Sequence, residues 1–249
     1  MTRARPLIAG NWKMNGVEAS LDEARTLAAL VDDHPPAARV ALCPPFTLIA
    51  RMADLLAGSG ILVGGQDCSD KPSGAFTGDI SSEMLIDAGA RLVILGHSER
   101  RRGHGESDRL VAAKVEAAVR AGLEPIVCVG ENLAERRAGE AIAVVDRQVR
   151  TSLPQSLRGH PFTLAYEPVW AIGSGLVPET AEIEVVHGAV RRALREMFGV
   201  DGEAAPILYG GSVSRDNAAQ ILGAREVGGA LVGGASLKAA TFAPIIRAM

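Results

Sequence analysis

Eight short apolar runs recur along the chain, each followed by a loop and then a stretch whose apolar residues return every three or four positions. The runs are Pro6–Trp12, Arg39–Cys43, Ile61–Gln66, Arg91–Gly96, Leu123–Val129, Phe162–Tyr166, Pro206–Tyr209 and Gly229–Val232. Most are apolar throughout rather than at alternate positions, the pattern of parallel strands covered on both faces. Between them lie amphipathic patterns. Ser20-Leu-Asp-Glu23 reads as a capping box opening a helix with Leu21, Ala24, Leu27, Ala28 and Val31 on one face. Similar faces are Leu48/Met52/Leu55, Ile142/Val145/Val149, Ile183/Val186/Val190/Leu194 and Phe242/Ile245/Ile246. A further one, Leu110/Val115/Ala118, carries Lys114 as its one polar intruder. No linker, low-complexity segment or charge block interrupts the alternation. The pattern predicts an α/β fold, a single (β/α)₈ barrel over residues 1–249, near the roughly 250 residues typical of that architecture. An open doubly wound sheet has the same periodicity, but no Gly-x-Gly-x-x-Gly follows the first run.

Composition narrows the chemistry. A hydrophobic content of 47% with 22% charged residues is ordinary for a soluble globular protein. A net charge of −3 gives no electrostatic case for nucleic acid or an anionic membrane. Phosphate recognition stays open, because backbone amides and helix ends need no net positive charge. Cys43, Cys68 and Cys128 have neither paired nor metal-ligand spacing, which predicts reduced thiols in a cytoplasmic protein without a bound metal. Leu7-Ile-Ala9 is too short for a secretory core, and no run reaches the roughly 20 apolar residues of a membrane span.

In such a barrel the chemistry gathers at the C-terminal ends of the strands. The residues there are Asn11 and Lys13 after the first run, His97 after the fourth and Glu167 after the sixth. Gly210-Gly-Ser212 follows the seventh and Gly233-Gly234 the eighth. Glu167 ends a strand that Pro168 cannot continue. The rigid Pro-Val-Trp and supple Ala-Ile-Gly-Ser-Gly that follow suggest a base beside a movable cover, residues 168–178. An ordinary loop with a solvated Glu is the plainer reading of that stretch alone.

Seven motifs run along the chain in order. The first four are Gly10-Asn-Trp-Lys-Met-Asn15, Gly74-Ala-Phe-Thr-Gly78, Leu95-Gly-His-Ser-Glu-Arg-Arg101 and Gly105-Glu-Ser-Asp108. The others are Tyr166-Glu-Pro-Val-Trp-Ala-Ile-Gly173, Tyr209-Gly-Gly-Ser-Val213 and Leu231-Val-Gly-Gly-Ala-Ser-Leu237. Together they carry a resemblance of the whole chain to the triosephosphate isomerase family. It implies a cofactor-free exchange of an aldose and a ketose triose phosphate through an enediol. Glu167 would be the base, made more basic where a closed loop partly desolvates it. His97 would be a neutral electrophile at the start of a helix, as the family is known for. Lys13 would supply a fixed positive charge, held by Glu99, and Asn11 an amide donor. Amides of Gly173, Ser212, Gly233 and Gly234 would cradle the phosphate. The loop Gln66–Asp79 resembles the family's dimer loop, with Phe76-Thr-Gly78 set beside the partner's Asn11–Lys13 region. Ser174, Asp79, Ser214 and Leu176-Val-Pro-Glu-Thr180 depart from commoner family patterns without touching a catalytic position. Rival readings are a same-fold isomerase of a four-carbon ketose phosphate, a lyase with Lys13 as Schiff-base nucleophile, and a non-catalytic sugar-phosphate sensor.

Overall fold

The computed structural model describes residues 4–173 and 176–249. Eight parallel strands follow one another in chain order: β1 Leu7–Asn11, β2 Arg39–Cys43, β3 Ile61–Gly65, β4 Leu92–Leu95, β5 Glu124–Val129, β6 Thr163–Tyr166, β7 Ile207–Tyr209 and β8 Gly229–Val232. β8 pairs back onto β1, Leu7 opposite Gly229, so the sheet is a closed barrel and the open-sheet alternative falls. That seam requires glycine. Gly229 has φ +135°, and a Cβ there would stand 1.9 Å from the Leu7 carbonyl oxygen.

The strands are apolar throughout because both faces are buried. Leu7, Ala9, Ala41, Cys43, Leu92, Ile94, Ile126, Cys128, Ala165, Leu208 and Leu231 form one cluster. The alternate residues Ile8, Val40, Leu42, Val93, Leu95, Val127, Leu164 and Ile207 belong to a second cluster, shared with the helices. The strand starts hold a polar plug. Arg39 donates to both oxygens of Glu124 at 2.6 and 2.8 Å, and the Thr163 hydroxyl donates to the same carboxylate at 2.9 Å.

The capping box at Ser20 does not form. The chain enters helix α1, Leu21–Asp33, through a one-turn 3₁₀ segment, Glu18–Ser20, so Ser20 already has helical angles (φ −73°, ψ −15°). A capping side chain needs the extended backbone that this turn removes. The Ser20 hydroxyl instead accepts from the Val17 N–H. Glu23 accepts from the Ala239 N–H and Lys238 Nζ, tying α1 to the chain's last helix.

Lys114, the intruder on its helix (Asp108–Ala121), is buried in an ion cluster. Its ammonium lies 2.7 and 2.9 Å from the Asp67 oxygens and 2.6 Å from Glu106, and Arg100 pairs with both carboxylates. Buried charges persist only when paired in this way. The cluster pins the root of the long loop after β3, whose tip, Lys71–Asp79, is exposed. Cys43, Cys68 and Cys128 are free and buried, and burial pushes the first two thiols up to about 12. Among the described residues no helix is long and apolar enough to cross a membrane, and no group of side chains is arranged to hold a metal.

Candidate active site

The C-terminal ends of the strands bring the predicted residues into one cleft of about 280 Å³, the small-ligand end of pocket sizes. Asn11, Lys13, His97, Glu167, Gly173, Ser212, Gly233 and Gly234 all line it, with Ile172 and Leu231 as apolar wall.

Beyond β1 the backbone turns sharply at Lys13, whose φ of +53° is unusual for a residue with a side chain. Asn11 Oδ1 accepts from the Lys13 N–H at 3.0 Å, and Gln66 donates to the Lys13 carbonyl at 2.8 Å. These bonds hold the strained residue, so any contact from Asn11 to a ligand is made by its NH₂, as a donor. The Lys13 ammonium lies 2.6 Å from Glu99 Oε1, as the sequence suggested.

Past β4, His97 caps the short helix Ser98–His104. Its Nδ1 accepts from the Glu99 N–H at 3.2 Å, which requires that nitrogen to be unprotonated and leaves the ring proton on Nε2. Nε2 faces Glu167 Oε1 at 2.9 Å. The site therefore holds a neutral imidazole pointing its N–H into the cleft.

Glu167 is 1% exposed. Gly130 makes room for it: a Cβ there would be 1.7 Å from the Glu167 carbonyl oxygen. The Ser98 N–H donates to Oε2 at 2.9 Å and the Ser98 hydroxyl to Oε1 at 3.2 Å. Burial is the strongest single influence on this carboxyl and pushes its pKa up. Electrostatic attraction to His97, followed by the hydrogen bonds from His97 and Ser98, outweighs burial and leaves it below the ordinary carboxylate value. The expected gain in basicity belongs to a closed cover; in this pose the carboxylate holds three donors and is a weaker base.

A family profile described as triosephosphate isomerase matches residues 6–249. The chain belongs to the triosephosphate isomerase family. It is 58% identical over 248 residues to the triosephosphate isomerase of Caulobacter vibrioides, covering 100% of this chain and 98% of that one. It is also 58% identical over 245 residues to that of Xanthobacter flavus, with 98% of each chain covered. The crystal structure of triosephosphate isomerase from Bartonella henselae superposes with a TM-score of 0.92 at 45% identity, covering 98% of each chain.

The stretch expected to form a cover begins at Pro168. The Val169 N–H donates to the Glu131 carbonyl at 3.1 Å. The Trp170 indole N–H and the Tyr166 hydroxyl both donate to Glu131 Oε1, at 2.9 and 3.1 Å. Ile172 and Gly173 then reach the cleft, while Ser174 and Gly175 lie outside the described residues. Glu131 is wholly buried, and burial raises its pKa. Sequence reasoning missed both Ser98 and Glu131. Cys128 packs inside the barrel as a buried thiol, the inert role expected of it.

Proposed function

We propose that this chain interconverts dihydroxyacetone phosphate and D-glyceraldehyde 3-phosphate. The observation that carries the reading is the pairing of Glu167 Oε1 with the Nε2–H of a neutral His97, 2.9 Å apart in a small cleft lined by glycine and serine backbone. On binding, the substrate's oxygens take over the His97 N–H, and Glu167 gives up its Ser98 donors. Without those donors, and with water excluded, its basicity rises. Glu167 removes the proton from C1 while His97 donates to the carbonyl oxygen at C2, giving the enediol. The same carboxylic acid then returns a proton to C2 while the His97 imidazolate takes the proton from the C1 hydroxyl, which gives the aldehyde and restores both side chains. Every proton given up is accounted for by these two side chains. Lys13 stabilises the developing oxyanion, and amides of Gly173, Ser212, Gly233 and Gly234 hold the phosphate.

Residues 168–178 act as the cover. An uncovered enediolate can use its electron pair to form a C2–C3 double bond. Phosphate then departs with the C3–O bonding pair, and the resulting enol tautomerises to methylglyoxal. Ile172 excludes water, and the Gly173 amide keeps the C3–O bond near the enediol plane, where elimination is poorly aligned. The reading is tested by incubating the protein with dihydroxyacetone phosphate in D₂O. Glyceraldehyde 3-phosphate carrying deuterium at C2 is expected. Absence of isomerisation overturns the reading, and faster turnover of a four-carbon ketose phosphate reassigns the substrate.

We further propose a homodimer, in a cytoplasmic setting that suits the three free thiols. Phe76, on the exposed loop tip, and Met14, beside Lys13, are 46% and 96% exposed. A second cleft, lined by Asn11, Lys13, Met14, Phe46, Gln66 and Glu99, would take the partner's Phe76-Thr-Gly78. Thr77→Arg would insert bulk and charge into that contact. Sedimentation of the variant is expected to give monomer with reduced activity. A fully active monomer would rule out the dependence.

A further inference from the structure

Arg136 reaches the start of the cover segment and the first turn of the helix that follows it. It lies in a short helix, Leu133–Arg137, whose start is fixed by reciprocal bonds between Asn132 and Glu135. On the leading side its guanidinium stands 5.3 Å over the Trp170 ring, and Nη1 is 3.6 Å from Glu131 Oε1, the oxygen that also receives the Trp170 indole. On the trailing side Nη2 donates to Glu182 Oε1. Glu182 belongs to the first turn of the long helix Thr180–Phe198, and its other oxygen accepts from the Glu179 N–H at 2.9 Å. Glu179 directly follows Pro178, where the cover ends. One planar cation is therefore stacked on the indole at one end and paired with the carboxylate that caps the other. Few side chains besides arginine can stack and bond at once.

Resting on the reading of 168–178 as a cover, we propose that Arg136 is a positioning residue that staples the two ends together and so sets Ile172 and Gly173 over the cleft. The buried Glu131 makes this staple more than a surface pair. Without the guanidinium, this buried carboxylate loses a nearby positive charge, and the indole loses the plane that holds it. The trailing end loses the tie between Glu182 and the leading side.

Three variants test the staple: Arg136→Leu, Arg136→Lys and Glu182→Gln, the last leaving the Trp170 stack in place. Isomerase kinetics, the share of turnovers ending in inorganic phosphate and methylglyoxal, and tryptophan emission are measured on each folded protein. Binding is probed with 2-phosphoglycolate, whose planar carboxylate copies the enediolate. Arg136→Leu is expected to lower kcat about tenfold with less than a threefold change in KM. It should raise the phosphate-release share at least threefold and shift Trp170 emission to longer wavelength. The other tryptophan, Trp12, is buried elsewhere with its indole bonded to Ser236. Arg136→Lys should recover most of the partitioning. Glu182→Gln should raise the phosphate-release share while leaving the emission in place. A lowered melting temperature with unchanged partitioning would make Arg136 a structural residue only and overturn the proposal. So would unchanged emission in Arg136→Leu. The D₂O experiment on the unsubstituted protein tests the isomerase reading separately. Should that fail, Trp170 emission and the change in 2-phosphoglycolate affinity still decide whether the staple exists.

Discussion

Glu167→Gln is expected to lower kcat for isomerisation by at least about 10²-fold, the low end for a positioned general base. The substitution keeps the volume of the side chain, removes its ability to take a proton and replaces one of its two accepting oxygens with an NH₂ group. The fold around it should hold, because the Glu167 N–H is fixed to the Val129 carbonyl and Gly130 packs against its own carbonyl. Binding of 2-phosphoglycolate should survive, since the proposed phosphate contacts are backbone amides that the substitution leaves in place. Steady-state kinetics beside a binding titration separate the two effects. A variant turning over at near-normal rate would mean that the base is another residue. The pH dependence carries the same assignment. The carboxyl of the free protein lies below its ordinary value of 4.5, so kcat/KM should hold as pH falls to that value and be lost only on further acidification.

The barrel was legible in the sequence because its strands are buried on both faces, which leaves continuous apolar runs that no surface alternation blurs. Closure was not legible from periodicity. It depends on the pairing of Leu7 with Gly229, a contact between opposite ends of the chain. The Ser20 capping box failed for a local reason: a single 3₁₀ turn took the serine out of the extended backbone a cap requires. Lys114 was visible as an anomaly on an apolar face, but its partners Asp67 and Glu106 come from a loop and a helix approach that spacing does not relate.

At the site, the legible residues were those with rare chemistry at strand ends: Lys13, His97 and Glu167. The residues that restrain them were silent. Ser98 looks like any serine opening a helix, and it meets Glu167 only because the barrel curves β4 and β6 toward one cleft from either side of β5. Glu131 looks like a loop carboxylate, yet it is wholly buried and organises Tyr166, Val169 and Trp170. For Glu167, burial alone argues for a stronger base, and the His97 and Ser98 partners found in three dimensions make it a weaker one in this pose.

Lys13→Met is the second substitution expected to act strongly. Lys13 is held in a left-handed backbone conformation, and its stem runs beside Gly233, where an added Cβ would be 3.5 Å from Lys13 Cε. Its ammonium is thereby kept between Glu99 and the glycine turn of β8, at the mouth of the cleft it lines. Methionine matches the length of the stem and removes the charge. The enediolate and the phosphate are both anionic, so the loss falls on binding and on the reaction barrier together. Removing one preorganised stabilising group costs about 10²–10³ in kcat. The loss in kcat/KM should reach at least the upper end of that range. Glu99 is half-exposed and can be hydrated once its partner is gone, so the melting temperature should change little. Kinetics measured beside thermal unfolding distinguish the two. If kcat/KM stays within tenfold of the unsubstituted protein, the positive charge at residue 13 is not what stabilises the enediolate, and the glycine and serine amides alone must do so.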